Sequence, residues 1–140
     1  MKLKQISVFL ENRDGAIMEL TRILTEAKIN IRALSMGDTA DFGVIRLIVS
    51  DAAAARDKLK EAGFVVNVTD VIGVNMADAP GAFHQVVKVL FDEKISIEYS
   101  YAFLSPVSAG AYVILRVQDG DRAIEVLQTA GMRLMSDDEL

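Results

Sequence analysis

The chain has 140 residues, a formal net charge of −5 and no cysteine. Binding to nucleic-acid phosphates requires clustered Lys and Arg, whereas acidic residues here outnumber basic ones by 20 to 15, so we expect no nucleic-acid partner. The lack of cysteine excludes a disulfide framework, a thiolate nucleophile and a zinc-thiolate site. Because the sequence has neither a secretion signal nor an apolar stretch of membrane-spanning length, we expect a cytoplasmic protein with no membrane partner.

The first predicted elements are a strand, a helix and a second strand. Residues 5–11 alternate between two sets of side chains, with Ile6, Val8 and Leu10 on one side, which is typical of a half-buried strand. After Gly15 the apolar residues recur every three or four positions, which predicts an amphipathic helix. The alternation of two resumes at Ile29 and predicts the next strand.

A turn-rich stretch at residues 36–41 leads into the β-branched residues 43–49, which we predict as a third strand. A second helix follows, with Ser50 or Asp51 as its N-cap and Gly63 at its end. Residues 64–69 close the unit as a fourth strand. The predicted order is therefore βαββαβ.

The βαββαβ order occurs twice in the sequence. Eight positions of the first copy are identical to those found 66 residues later, among them Gly15 and Gly81, and the spacing becomes 68 after the loop between Ser35 and Phe42. Differences that concentrate in a loop indicate a duplicated fold, so we predict two domains, residues 1–70 and 71–140, without a flexible linker. The elements predicted for the second copy are strand 71–76, helix 82–93, strand 95–103, strand 111–117, helix 122–130 and strand 132–135.

A βαββαβ unit predicts an antiparallel four-stranded sheet with both helices on one face. The fold class is therefore α+β, with two such split βαβ, or ferredoxin-like, units. By strand parity, Leu34 and Met36 fall on the uncovered face of the first sheet, whereas Tyr99, Tyr101 and Phe103 fall on the helix-covered side of the second.

The hydrophobic content of the chain predicts self-association. Hydrophobic residues make up 51% of the sequence, and halves of roughly 70 residues are near the lower size limit for a self-sufficient core. Apolar surface left over from such small cores is normally covered by a partner. We therefore expect a homodimer.

Both strand-to-helix turns resemble the ACT domain family. The first copy reads Val-Phe-Leu-Glu-Asn-Arg-Asp-Gly before its helix and Lys-Ile-Asn-Ile after it, and the second reads Asp-Ala-Pro-Gly and Lys-Ile-Ser-Ile at the same places. ACT turns commonly read Asn-x-Pro-Gly. The first copy keeps the asparagines, Asn12 and Asn30, but has Asp14 at the proline position, whereas the second keeps Pro80 and Gly81.

The resemblance implies a non-catalytic module that binds a small molecule, most often an amino acid, at an interface between ACT units. Helix N-termini carry unpaired N–H groups and a partial positive charge, which suit a ligand carboxylate, and a glycine lets the ligand approach the backbone. Polar side chains nearby would bind the ligand ammonium. The candidate ligand-binding residues are Asn12, Arg13, Asp14, Gly15, Asn30, Asp78, Ala79, Pro80, Gly81 and Ser96.

Other readings of these residues remain open. Asn12, Asp14 and Asp78 are also ordinary turn and N-cap residues, and the glycines are ordinary turn residues. His84, the only histidine, is in the first turn of the second copy's helix, where a solvent-facing position is the simpler interpretation, and we predict no metal site and no cofactor. The acidic C-terminal residues 136–140 are predicted to be a frayed, solvated tail.

Two other function classes are compatible with the fold. A subunit that binds an amino-acid metabolic enzyme without a ligand of its own would have the same architecture. Small enzymes also use the ferredoxin-like fold. Catalysis would require a nucleophile or an acid–base pair, and the single histidine has no evident partner in the sequence, so we predict that the chain is not an enzyme.

Overall fold

The structure is a computed structural model that describes residues 1–11, 14–38, 42–105 and 109–140, and only the backbone of Asp38 and Phe42. Its regular elements end in a short 3-10 turn, Asp137–Glu139. In chain order the others are β1 (Leu3–Glu11), α1 (Ala16–Glu26), β2 (Ile31–Asp38), β3 (Phe42–Val49), α2 (Ala52–Glu61), β4 (Val65–Met76), α3 (Ala82–Asp92), β5 (Ile97–Leu104), β6 (Ala111–Val117) and α4 (Gly120–Thr129).

The N-terminal unit consists of residues 4–69. Its strands lie in the order β2, β3, β1 and the first part of β4, with β3 antiparallel to both of its neighbours. The apolar stripe of α1 packs Leu20 and Leu24 against Ile6 and Val8 of β1, and all four are fully or almost fully buried. Burial of this stripe is what stabilises the helix, as its apolar spacing predicts.

The C-terminal unit consists of residues 70–139 together with Met1–Leu3. Its strands lie in the order β4, β6 and β5, and its core contains Leu90 of α3 and Leu127 of α4. The last predicted strand, 132–135, is reduced to a single bridge between Val74 and Leu134. Backbone hydrogen bonds flank this bridge, from Asn75 N–H to the Arg133 carbonyl at 2.8 Å and from Met135 N–H to the Gly73 carbonyl at 2.7 Å.

Strand β4 is common to both units. It runs for 12 residues, and it contributes Val66 to the N-terminal core and Ile72 and Val74 to the C-terminal core. One unbroken strand at the junction of the repeats fits the absence of proline from residues 64–76.

A β-bulge in each unit changes which side chains face the helices. The bulges lie between Ile31 and Ala33 in β2 and between Ile97 and Tyr99 in β5. An extra residue reverses the parity of everything after it. Beyond the bulge, Met36 pairs with the core residue Ile45.

The predicted faces of these two strands were therefore wrong. Leu34 and Met36 lie on the helix side of their sheet, at its edge, because they pair with Leu47 and Ile45. Tyr99, Tyr101 and Phe103 lie on the side opposite the helices, because they pair with Arg116, Ile114 and Tyr112, which alternate with the core positions of β6.

The C-terminal residues are folded back rather than frayed, which corrects that prediction. The Tyr112 hydroxyl donates to Glu139 Oε1 at 3.0 Å, and the Ser136 N–H donates to Glu139 Oε2 at 2.9 Å. Arg133 donates to the Tyr112 hydroxyl at 2.9 Å and forms an ion pair with Glu139. The sequence did not indicate this cluster, because the partners of Glu139 lie in other elements. Tyr112 is on β6, and Arg133 is next to the bridge residue Leu134.

The helices end in two different ways. α2 and α4 are followed by Gly63 and Gly131 in the left-handed conformation, as expected for helix C-termini. After α1 and α3 the same conformation is adopted by Lys28 and Lys94, at φ 58° and 59°. In all four cases the next amide bonds back five residues, for example from Ile95 N–H to the Leu90 carbonyl at 2.9 Å.

Candidate functional site

The first helix of each unit begins without a side-chain cap. α1 begins after Gly15 and α3 after Gly81, both in the left-handed conformation at φ 83° and 86°, with no side-chain hydrogen bond at the cap. In contrast, the Asp51 carboxylate accepts from Ala54 N–H in α2, and Asp119 accepts from Arg122 N–H in α4. Glycine is favoured at these two turns because a residue with a Cβ atom rarely adopts such a φ.

The C-terminal turn has a recognisable geometry. Ala82 N–H donates to the Ala79 carbonyl at 3.2 Å, with Pro80 and the left-handed Gly81 at the central positions, which is a type II turn. Residues 78–81 are all exposed. The turn therefore already satisfies one of the first amides of α3.

At the N-terminal turn, Asp14 and Gly15 are described and exposed. Asn12 and Arg13, two of the predicted ligand-binding residues, lie outside the described residues. The end of β1 and the first turn of α1 border an open groove of about 510 Å³, which we call the α1 groove. Its lining residues are Leu10, Glu11, Asp14, Gly15, Ala16, Ile17, Met18, Met36, Gly37 and Gly43.

The α1 groove combines three chemical features. Glu11 and Asp14 contribute carboxylates, and the start of α1 contributes the positive end of a helix dipole. Ile17, Met18 and Met36 contribute apolar surface and are 41%, 74% and 54% exposed. A molecule with an ammonium group, a carboxylate and an apolar part complements all three features.

Sequence reasoning missed eight of the lining residues, namely Leu10, Glu11, Ala16, Ile17, Met18, Met36, Gly37 and Gly43. They come from three strand ends and one helix, and only the strand register brings them together. The register pairs Gly43 of β3 with Leu10 of β1. A signal was present in Met36-Gly37 and Gly43, because exposed methionine beside glycine leaves apolar surface and open space. We interpreted residues 36–41 as a turn, Met36 as part of the uncovered sheet face and Gly43 as the start of a strand, and did not connect them with a ligand.

Asn30 and Ser96 lie far from these turns within their own units. Asn30 follows α1, whose 11 residues span about 16 Å, so it is at the opposite end of the helix from Gly15. Its backbone is held by Ser50, through Asn30 N–H to Ser50 Oγ and Ser50 N–H to the Asn30 carbonyl, both 2.9 Å. Within the N-terminal unit, Asn30 therefore does not lie beside Asp14 and Gly15, the described residues of the turn before α1.

Ser96 is exposed and borders a separate cavity of about 320 Å³ at the base of the C-terminal unit. Lys94, Glu98, Asp119 and Arg122 also line this cavity. Arg122 is already engaged by an ion pair with Glu93 at 3.4 Å.

The remaining predictions concern His84, metals and membranes. His84 is exposed in the first turn of α3, which fits the simpler interpretation of that residue. Across residues 1–11, 14–38, 42–105 and 109–140, no group of three or more His, Asp or Glu side chains is placed to hold a metal ion. In the same ranges no helix is long and apolar enough to span a membrane.

The chain is therefore a tandem α+β protein with two ferredoxin-like βαββαβ units. In each unit a left-handed glycine directly precedes the first helix. The chain belongs to the ACT domain pair family, whose model matches residues 1–140. This confirms the family resemblance and the fold class predicted from the two turns and the element order. No curated protein matches the chain by sequence.

Solved structures extend the comparison. Protein BT0572 from Bacteroides thetaiotaomicron is 40% identical, with 99% of this chain and 95% of that chain covered and a TM-score of 0.93. The regulatory subunit of aspartate kinase from Thermus thermophilus, in a ligand-free form, is 13% identical, with 91% of each chain covered and a TM-score of 0.64. Aspartate kinase from Synechocystis is 18% identical over 91% of this chain and 24% of that chain, with a TM-score of 0.60. At these low identities, the two kinase comparisons show the fold alone.

Proposed function

We propose that the chain is a non-catalytic regulatory protein that binds an amino acid at the turn before the first helix of an ACT unit. The observation that carries this proposal is the α1 groove, which lies at the turn of Asp14 and Gly15 before α1, in a chain of the ACT domain pair family. Regulation is also favoured by the fold shared with the regulatory subunit of aspartate kinase.

The groove chemistry suits a zwitterion. The ligand carboxylate would accept hydrogen bonds from the first-turn amides of α1, which have no side-chain cap. The ligand ammonium would face the carboxylates of Glu11 and Asp14. A ligand lacking either charge would leave one set of polar groups unpaired, which disfavours binding.

The mechanism we propose uses assembly. In a homodimer the ligand would contact a unit of each copy, and the other candidate residues, Asn12, Arg13, Asn30, residues 78–81 and Ser96, are those expected to add such contacts. A ligand that contacts two units binds only the assembled arrangement, so its binding free energy favours that arrangement. A partner enzyme of amino-acid metabolism would then respond to the assembled state.

A thermal-shift screen of the purified protein against the twenty amino acids, followed by isothermal titration, tests the proposal. A specific amino acid should raise the melting temperature and give a saturable titration curve, and light scattering should show a larger dimer fraction with ligand. Asn12→Ala and Asp78→Ala test the location. Unchanged titration curves in both variants would contradict a site at the turns.

A second candidate is an interaction subunit that binds an amino-acid metabolic enzyme without any ligand. It is favoured by the likeness in fold to the regulatory subunit of aspartate kinase. Affinity capture from a cell extract, with and without added amino acids, separates the two. Stoichiometric enzyme recovery that no amino acid alters, together with flat titrations, would favour this second candidate.

A further inference from the structure

We propose that the groove that holds the amino acid exists in the N-terminal unit alone and selects an amino acid with an uncharged, apolar side chain. This inference rests on the proposed function. It concerns which copy has kept the groove and what the groove walls recognise.

The strand registers place the two copies on a common frame. Met36 pairs with Ile45 in the N-terminal unit, and Ala102 pairs with Val113 at the matching place in the C-terminal unit. In the same way Leu10 pairs with Gly43, whereas Met76 pairs with Ala111. These pairs make the equivalences between the units unambiguous.

Most lining positions of the α1 groove differ in the second copy, and Glu11, Asp14, Met36 and Gly43 are four of them. The carboxylates of Glu11 and Asp14 are replaced by Ala77 and Pro80, so nothing at those positions can bind an ammonium group. The apolar wall residue Met36 is replaced by Ala102. Gly43 is replaced by Ala111.

Gly43 leaves space along the lining of the α1 groove because it has no Cβ atom. A Cβ atom built on Gly43 would lie 3.4 Å from the carbonyl oxygen of Gly37, and both residues line the groove. At 3.4 Å the Cβ atom would make an ordinary van der Waals contact, so an alanine would take up space in the groove without disrupting the fold. Ala111 carries such a Cβ atom and is buried. The C-terminal unit therefore has a methyl group where the N-terminal unit has space.

The groove walls indicate the side-chain class. Ile17, Met18 and Met36 line the groove and are exposed to solvent. Burying an apolar ligand side chain against them is favourable, whereas a polar amide would lose water without gaining a partner on these walls. Glu11 and Asp14 would repel an acidic side chain. Leucine and methionine are thus the probes of choice, and glutamine, which is close to methionine in size, is the matched polar probe.

The test is isothermal titration of the full chain with leucine, methionine and glutamine. We expect one ligand per chain and binding of leucine or methionine at least tenfold tighter than glutamine. 4-Methylpentanoate and isoamylamine, which each lack one charged group of leucine, should both bind at least tenfold more weakly than leucine.

Paired variants at equivalent positions locate the site. Met36→Lys should weaken leucine or methionine binding at least tenfold, whereas Ala102→Lys should leave the curve unchanged. Because both positions are exposed, neither variant should perturb the fold, and far-UV circular dichroism checks this. Gly43→Ala, with Ala111→Gly as its control, provides a second pair should the lysine variant fold poorly.

The outcomes separate this inference from the proposed function. Loss of binding in Ala102→Lys but not in Met36→Lys would overturn the assignment to the N-terminal unit and leave an amino-acid-binding protein. Tighter binding of glutamine or an acidic amino acid would overturn the side-chain class. Failure of every amino acid to bind would contradict the proposed function itself.

Discussion

Lys28 and Lys94 adopt a backbone conformation that usually belongs to glycine. Each occupies the left-handed region directly after a helix, at the place where α2 and α4 have Gly63 and Gly131. The cost for a residue with a Cβ atom is about 1–2 kcal/mol, partly offset because glycine loses more chain entropy on folding. These two lysines are therefore sites of stored backbone strain.

Replacing Lys94 by glycine should raise the free energy of unfolding by about 0.5 kcal/mol, because the strain is removed and the entropy cost of glycine is added. The converse change, Gly131→Ala, should lower it by about 1 kcal/mol, since a Cβ atom there meets no neighbour within 4 Å and only the backbone is strained. Urea unfolding followed by circular dichroism measures both. A destabilised Lys94→Gly variant would contradict this account.

Glu139 makes the C-terminal turn sensitive to acid. Burial acts to raise the pKa of Glu139, but the hydrogen bonds from the Ser136 N–H and the Tyr112 hydroxyl and the charge of Arg133 lower it on balance. Burial also raises the pKa of Tyr112, and the hydrogen bond to Glu139 raises it further. The cluster is therefore held most firmly with Glu139 ionised and Tyr112 protonated.

A group whose pKa is lowered on folding contributes stability above its unfolded pKa and loses that contribution as the pH falls through the folded value. We therefore expect the unfolding free energy of the native chain to fall on acidification below about pH 4.3, the ordinary glutamate pKa, more steeply than that of Glu139→Gln. Urea unfolding at pH 7, 5, 4 and 3 measures the difference. Asp138→Asn, an exposed change in the same turn, is the control, and equal pH profiles for native chain and Glu139→Gln would contradict the prediction.

At the scale of elements, the sequence predicted what depends on local spacing. The stripes of α1 and α3 and the Pro80-Gly81 turn follow from residue types at fixed intervals, and the same reasoning limited the cap of α2 to Ser50 or Asp51. The bulges in β2 and β5 do not follow from residue spacing. The only trace of an inserted residue in an alternating sequence pattern is that the later side chains change faces. For the same reason the sequence placed Met36 on the wrong face and did not associate it with the groove.

The bulge in β5 has a measurable consequence. Phe103 stacks on Tyr112 with ring centroids 5.6 Å apart, on the sheet face opposite the helices. Phe103→Ala should lower the unfolding free energy by about 1–3 kcal/mol, because the partly buried ring and its stack are lost. It should also change the near-ultraviolet circular dichroism of tyrosine.

Leu104→Ala on the same strand is the control, because Leu104 is 71% exposed. It should change stability by less than about 0.5 kcal/mol and leave the tyrosine signal as it is. Identical near-ultraviolet spectra for both variants would argue against the stacked arrangement.

At the scale of the whole molecule, two separate cores share one strand. Each unit has a size at which a single core gives little stability, and β4 supplies buried residues to both. We therefore expect the chain to unfold in one cooperative transition. All three tyrosines, Tyr99, Tyr101 and Tyr112, lie in the C-terminal unit, and the chain has no tryptophan, so tyrosine fluorescence reports on that unit alone.

Leu24→Ala in the N-terminal core and Leu90→Ala in the C-terminal core are changes at equivalent, buried positions. Each should lower the unfolding free energy by about 2–5 kcal/mol. If unfolding is cooperative, Leu24→Ala will shift the tyrosine-fluorescence transition as far as the circular-dichroism transition. A fluorescence midpoint that stays in place while circular dichroism becomes biphasic would show that the units unfold independently.

The single methyl group that distinguishes Ala111 from Gly43 has a consequence for how the protein would respond to rising metabolite levels. If each polypeptide has the one functional groove that we propose, an isolated copy will saturate along a simple hyperbola, with a Hill coefficient of one. Any steeper dose response would have to come from chains binding one another, so its steepness would change with protein concentration.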